Sequence, residues 1–531
     1  MVTVWTRRGK APIIPPNTEE TMLRWRVAAL IVATALAWLL AALSQPASAQ
    51  VFAPKVDTID LPPNVDVFNL SFDEVKKYSA MQNFELLGHT YFKIPERTAF
   101  ARGQGRPGGE LGSGFNTVRV YDGIAYLGGH NSPPTLFGIL IADVRDPRNI
   151  KPLSFIPCNP GTRCNYLRVN RQKKILMFTH DYDGRDNPTK LPAGEKTKSG
   201  TSFYDVSNLA KPKELGFVSA VPDGKTHGLD ADDRYAYVCA QYSSELNREG
   251  LQIIDYGDPN APKLISTWHV PGQRKGEQYG PLNRYGPDGK PQVVQCHEIV
   301  AYNDRLYLAW RDAGSLVLDI KDRSAPRLLA TYDYVPPFHG GNLGAAHTAM
   351  PVVTRVGEHP DILIHTDEIF DCPPGFGRIL DVSDLKNPEV IRGERPANMQ
   401  LLSTFRLAHV SDVFDPQKRQ FICDGGGAGG RSAASTHLPW QDQRSPSLVY
   451  ITWYDEGVRA MDISNPFAPT FVGHFLSPRF AAPGRNDRQT REIFQDPDTG
   501  LLYLTDGNGG GLMVLRHTGP IPDRLPIPGG R

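Results

Sequence analysis

The chain has 531 residues, of which 58 are basic and 57 acidic, for a net charge of +1. That balance excludes a protein that tracks nucleic-acid phosphates or adheres electrostatically to anionic lipid. With 50 glycines and 46 prolines spread along the sequence, short strands joined by turns are favoured over long helices.

In chain order, the first feature is an export signal. Arg24 and Arg26 precede an apolar stretch over 27–43, and Ala47-Ser48-Ala49 supplies the small-x-small pattern of a signal-peptidase site. Residues 1–21 read as an upstream extension that is not native, with Met22 the natural start. Residues 22–49 read as the signal peptide and 50–80 as an N-terminal extension. The alternative is an uncleaved anchor, but the apolar stretch is short of about 20 residues and is followed by a cleavage site. The mature chain is therefore expected in the periplasm or outside the cell, with no membrane span after cleavage. In that oxidising setting, Cys158 and Cys164, which bracket a short turn, are expected to form a disulfide. Cys239, Cys296, Cys372 and Cys423 stand singly, and no CxxC occurs.

From residue 81 onward one phrase recurs: an apolar strand ending in Asp plus a β-branched or aromatic residue, a few polar residues, Pro, and another strand. The aspartates are Asp143, Asp205, Asp255, Asp319, Asp381 and Asp462. Upstream of each lies a strand with period-2 alternation, as in 234–238 and 305–309. Each unit is a four-stranded antiparallel sheet that cannot bury its own faces, and radial stacking of such units gives a propeller. The seventh unit, 501–515, lacks an outer strand. Residues 84–89 resemble the outer strands at 471–474 and 215–218, so this N-terminal strand is predicted to complete the last blade and remove an open edge. The expected fold is all-β: a seven-bladed β-propeller over 81–517, with a lid insertion at 424–447 and a C-terminal tail at 518–531. An eighth unit hidden in the blade-six insertion stays open.

The wording of 235–238, 250–255 and 457–466 resembles the LVIVD-repeat propellers, whose units read roughly Tyr-Ala-Tyr-Val-Ala … Gly-Leu-x-Ile-Ile-Asp-Val-Ser-x-Pro. The resemblance covers roughly 81–517. It implies architecture and is nearly silent on chemistry.

Aligning the units on their first strands gives one column: Asn116, Asn165, His227, His297, His347, His409 and Arg491. Histidine makes only 14 of 531 residues, so four in one column is a coincidence on the order of 10⁻³ even after many registers are tried. The column opens the channel-lining strands and predicts a ring at one channel mouth. His130, His180, His365, Asp181, Asp183, Asp367, Glu368 and Asp506 fall at strand ends expected on the same face.

Converging neutral imidazoles suit Zn, Cu or Fe. His227, His297, His347 and His409 are the expected metal ligands, with no carboxylate among them. Glu298, Asp367 and Glu368 are candidates for orienting the imidazoles, and Glu298 also for catalysis. Arg491 cannot ligate a metal and is read as the anchor of an anionic substrate. His130, His180, His365, Asp367, Glu368, Asn116 and Asn165 are secondary site candidates. Two other readings stand beside this one: a hydrogen-bonded polar ring, and metal-free binding or catalysis. The arrangement is similar in geometry to the four-histidine iron site of carotenoid-cleaving oxygenases. It is similar in geometry and compartment to the selenium-binding and methanethiol-oxidase family, although neither family's motifs occur here.

The glycine run 425–430 formally contains GxGxxG but precedes no helix-forming stretch, so a lid over the mouth is expected there, carrying Ser432, Ser435 and His437. Trp310 and Trp453 occupy equivalent positions, read as packing or as an aromatic wall. Asp230 and Asp412 share one repeat position and are read as inter-blade hydrogen-bonding groups. The expected protein is a monomeric, exported, metal-dependent oxidoreductase acting on a small anionic or sulfur-containing molecule. The alternative is a non-catalytic propeller that binds a protein partner at the channel face.

Overall fold

A computed structural model describes residues 49–59, 61–62, 65–92, 114–129, 138–182, 191, 194–277, 294–332, 346–354, 358–370, 374–407, 413–415, 420–422, 434–480 and 488–523. The signal segment, His130, Asp183, His409 and Asp412, Cys372 and Cys423, and the glycine run lie outside the described residues.

The repeat phrase folds as its residues dictate. In six blades the Asp that closes the third strand accepts the backbone N–H two residues on: Asp143 from Arg145, Asp205 from Ser207, Asp255 from Gly257, Asp319 from Lys321, Asp381 from Ser383 and Asp462 from Ser464, at 2.8–3.1 Å. These Asx turns reverse the chain into the outer strand. The tight hairpins need positive φ at both central residues, and Asp122-Gly123 (55°, 72°) and Asn303-Asp304 (47°, 56°) supply it.

Blade 1 runs Phe115–Tyr121, Ile124–Gly129, Gly138–Asp143 and Lys151–Pro157, innermost to outermost. Blades 2 to 5 repeat this antiparallel order. Their innermost strands are Leu167–Asn170 with Thr162–Arg163, Thr226–Ala231, Glu298–Tyr302 and Ala346–Val352. Blade 6 is Pro439–Gln441, Leu448–Thr452, Val458–Asp462 and Thr470–Leu476. Blade 7 is Thr490–Gln495, Leu502–Asp506 and Gly511–His517, with the N-terminal strand Phe84–Thr90 as its antiparallel outer edge. The protein is thus a seven-bladed, all-β propeller closed by its N-terminal strand.

Apolar faces are buried between blades. Leu251 and Ile253 of blade 3 share a core with Leu306, Leu308, Leu316 and Leu318 of blade 4. Trp310 and Trp453 are both fully buried in such inter-blade cores, which makes them packing residues. The extension before the ring is structured. Ala49–Ala53 adds a parallel strand to blade 5, the capped helix Phe72–Lys77 follows, and Ala80–Gln82 adds a strand to blade 6.

The lid expectation for 424–447 needs correction in its second half. Residues 434–438 are buried and 439–441 form the innermost strand of blade 6. The strand-forming residues just after His409, Val413–Asp415, instead pair with Gln420–Ile422 as a separate two-stranded hairpin. No eighth blade occurs among the described residues. Nor is any helix there long and apolar enough to cross a membrane.

Candidate metal centre

The starts of the innermost strands of blades 3 to 6 bring four imidazoles into an arc. His227 and His297 have ring centres 4.3 Å apart, His297 and His347 4.5 Å, and His347 and His437 4.1 Å. Tyr166 flanks His227 at 4.9 Å and Tyr454 flanks His437 at 4.7 Å. Inter-blade hydrogen bonds hold the ring. Thr179 donates its hydroxyl to the His227 carbonyl (3.4 Å), Thr366 to that of His437 (2.6 Å), Thr452 to that of Arg491 (2.9 Å) and Thr505 to that of Asn116 (3.1 Å). Between blades 3 and 4 the backbone N–H of Gly228 bonds the His297 carbonyl at 3.0 Å, and a Cβ on Gly228 would fall 2.4 Å from that oxygen. Only glycine allows this approach.

The blade-6 place, expected for His409, is occupied by His437. The Thr366 bond to its carbonyl marks it as the equivalent of the other ring residues, and Nδ1 of His437 lies 2.6 Å from the Arg491 carbonyl.

A carboxylate joins the imidazoles, contrary to the expected all-histidine set. One ligand atom each from His297, His347 and Glu368 lie within 4.8 Å of one another. Glu368 Oε2 is 4.0 Å from His347 Nε2, and Oε1 is 4.0 Å from His437 Nε2. Arg311 donates to Glu368 Oε2 at 2.9 Å, and the Tyr454 hydroxyl donates to Oε1 in a short bond. Arg311, Glu368 and Tyr454 follow the second strands of blades 4, 5 and 6, and Arg311 and Tyr454 each bridge to the next innermost strand. The signal for Arg311 and Tyr454 lay in the sequence beside Trp310 and Trp453, one residue further on.

Burial, the largest influence, would raise the Glu368 carboxyl, but the Arg311 guanidinium holds it well below the usual carboxylate range. Burial drives His297 and His347 well below the ordinary imidazole value and His437 down to about 3. The imidazoles are therefore neutral and available as ligands. Tyr454 is pushed far up by burial, so its hydroxyl keeps its proton.

The remaining predicted residues divide into ring members and structural groups. Arg491 donates Nη1 to the Tyr454 hydroxyl at 3.0 Å and lies over that ring at 4.9 Å, while its buried Nε has no partner among the described residues. Asn116 and Asn165 take the blade 1 and 2 positions, and the Asn165 carbonyl accepts from Thr117 at 2.9 Å. Glu298 lies in the channel wall, 3.9 Å from Arg168 and beside Tyr166. His180 is sealed in blade 2, with Asn159 N–H donating to Nδ1 at 3.0 Å and Nε2 2.8 Å from the Ser202 hydroxyl. His365 is held by Ser315 at 2.7 Å and Asp367 at 2.9 Å, and Asp367 also binds Arg378. Both nitrogens of His180 and of His365 are engaged, so neither presents a free one to an ion. Asp181 pairs with Arg163 at 2.7 Å and stands 3.8 Å from His227. Asp506 accepts the backbone N–H groups of Gln489, Asn508 and Gly510. Asp230 binds Arg168 and the Ala301 N–H. Cys158 is bonded to Cys164, and a second disulfide, absent from the sequence reading, joins Cys239 to Cys296 beside His297.

The donor set fits a transition metal. His297 Nδ1 is buried with no partner among the described residues, an arrangement costly unless a ligand completes it. Two imidazoles with one carboxylate form a set that binds Fe or Zn.

Fold and cluster together define a seven-bladed β-propeller with a buried imidazole–carboxylate group at one channel mouth. Residues 295–334 and 448–477 match the LVIVD repeat, so this propeller carries LVIVD repeats in blades 4 and 6. No curated protein matches it by sequence. Among solved structures it is similar to a protein from Lactobacillus plantarum at 12% identity and TM-score 0.46, covering 76% of this chain and 97% of that one. It is also similar to the Pan2 WD40 domain of Neurospora crassa at 9% identity and TM-score 0.45, covering 83% and 98%.

Proposed function

We propose that the protein is an exported metal-dependent oxidoreductase whose ion is held by His297, His347 and Glu368, with His227 and His437 at either end of the arc. The observation that carries this reading is the approach of those three ligand atoms to within 4.8 Å inside a buried cluster of neutral imidazoles. When bound, Fe, Cu or Zn would supply a Lewis-acid or redox centre. Arg311 keeps Glu368 ionised, and Tyr454 donates a hydrogen bond to the same carboxylate. Arg491 has an unused Nε–H beside the cluster, suited to a small anionic substrate. Two disulfides support an oxidising compartment.

The test is elemental analysis of protein purified from the periplasm. The expected result is about one tightly bound transition metal per chain, lost in His347→Ala. A metal-free protein whose stability is indifferent to replacement of the ring histidines would overturn the reading and favour a binding scaffold.

A further inference from the structure

Beyond the imidazoles the channel holds a cavity of about 530 Å3, within the size range of small-molecule sites. It is walled by the later residues of the innermost strands and reaches the turns at the opposite mouth, where Gln172 and Asp233 are exposed.

Two arginines of this wall are paired with carboxylates of the same wall. Arg119 binds Glu492 at 2.8 Å, and Arg168 binds Asp230 at 2.8 Å. An anion would have to compete with a carboxylate already in place, and a cation would meet two guanidinium groups. Two polar atoms in the wall remain without a hydrogen-bond partner among the described residues: Glu298 Oε2 and Trp440 Nε1. Glu298 is only 3% exposed, and its other oxygen stands 3.9 Å from Arg168. A neutral hydroxyl both donates and accepts, so it satisfies this carboxyl in either protonation state. One part of the wall is soft and apolar, with Met177, Val300, Met350 and Leu438. Methionine sulfur favours aromatic rings, whereas a sugar would set several hydroxyls against this apolar part of the wall.

We propose that this cavity is a second binding site, separate from the histidine cluster, for a neutral phenol or aromatic alcohol whose hydroxyl meets Glu298 and whose ring lies against Met350, Leu438 and Trp440.

Calorimetric titration of the full chain with 4-methylphenol tests this, with 4-methylbenzoate, benzylamine and glucose as comparators. Saturable one-site binding of 4-methylphenol is expected, at least about tenfold tighter than any comparator. Val300→Trp, which fills the cavity, should abolish binding while leaving the metal content at the wild-type level, so the two sites are judged separately. Should that variant fail to fold, Glu298→Met keeps the cavity and removes the hydroxyl's partner, and binding should weaken about tenfold or more. Absence of saturable binding, preference for the anion or the amine, or unchanged affinity in the folded variants would each overturn the proposal.

Discussion

Replacing Glu368 by glutamine separates the charge of the cluster from its shape. The side chain keeps its volume and an acceptor for the Tyr454 hydroxyl, but Arg311, now 2.9 Å from a neutral amide, is left as a buried uncompensated charge. Breaking one side of a buried pair costs about 3–5 kcal/mol, whereas removing both charges is often near neutral. Urea unfolding followed by tryptophan fluorescence, in a chelator so that metal linkage does not contribute, should show E368Q destabilised by about 3 kcal/mol or more. The double variant Arg311→Met with Glu368→Gln should recover most of that loss. Neither variant should retain metal, because the carboxylate ligand is gone in both. The reasoning is refuted if E368Q loses less than about 1 kcal/mol and still carries metal.

His180 offers a clean pH test away from the cluster. Burial lowers its value to about 3 from the ordinary 6.5, so the unfolded chain takes up the proton first. Its contribution is intact above pH 6.5 and is lost progressively as pH falls toward 3. At pH 5 the loss is about 2 kcal/mol. Denaturation curves of His180→Gln between pH 7 and pH 5 should fall less steeply than wild type by that amount. The Cys239–Cys296 bond closes a loop with a sequence separation of 57. The double alanine variant should unfold about 4 kcal/mol more easily by the chain-entropy estimate and should hold metal more loosely, since Cys296 immediately precedes His297. Metal retention should weaken in His437→Ala, which borders the site, and stay unchanged in His409→Ala; the reverse pattern would restore the register read from sequence. Removing the chain through residue 90 uncovers Gly511–His517 as an unpaired edge, and light scattering should then show association beyond that of the full chain.

The architecture was legible because its signals are local and repeated. An Asp that caps the next turn recurs in six units, and the likeness of 84–89 to other outer strands marks the closing strand. The ring was legible as far as His227, His297 and His347. It failed at blade 6, where the His-x-x-Asp pattern of 409–412 imitates that of 227–230 while the innermost strand, Pro439–Gln441, is too short to show alternation. The role of Glu368 escaped for another reason. It lies after a second strand, and its approach to His347 and His437 depends on how blades 5 and 6 pack. Likewise Cys239 and Cys296 sit in different blades, and only their stacking brings the Cα atoms to 5.2 Å.

Anomalous diffraction from a crystal of the purified protein, recorded across the absorption edge of the metal found by elemental analysis, tests the central claim most directly. The account predicts one peak about 2.0–2.2 Å from an imidazole nitrogen of His297, one of His347 and a carboxylate oxygen of Glu368. A peak bound elsewhere, or none, with Arg311 and Tyr454 still closed on Glu368, would contradict it.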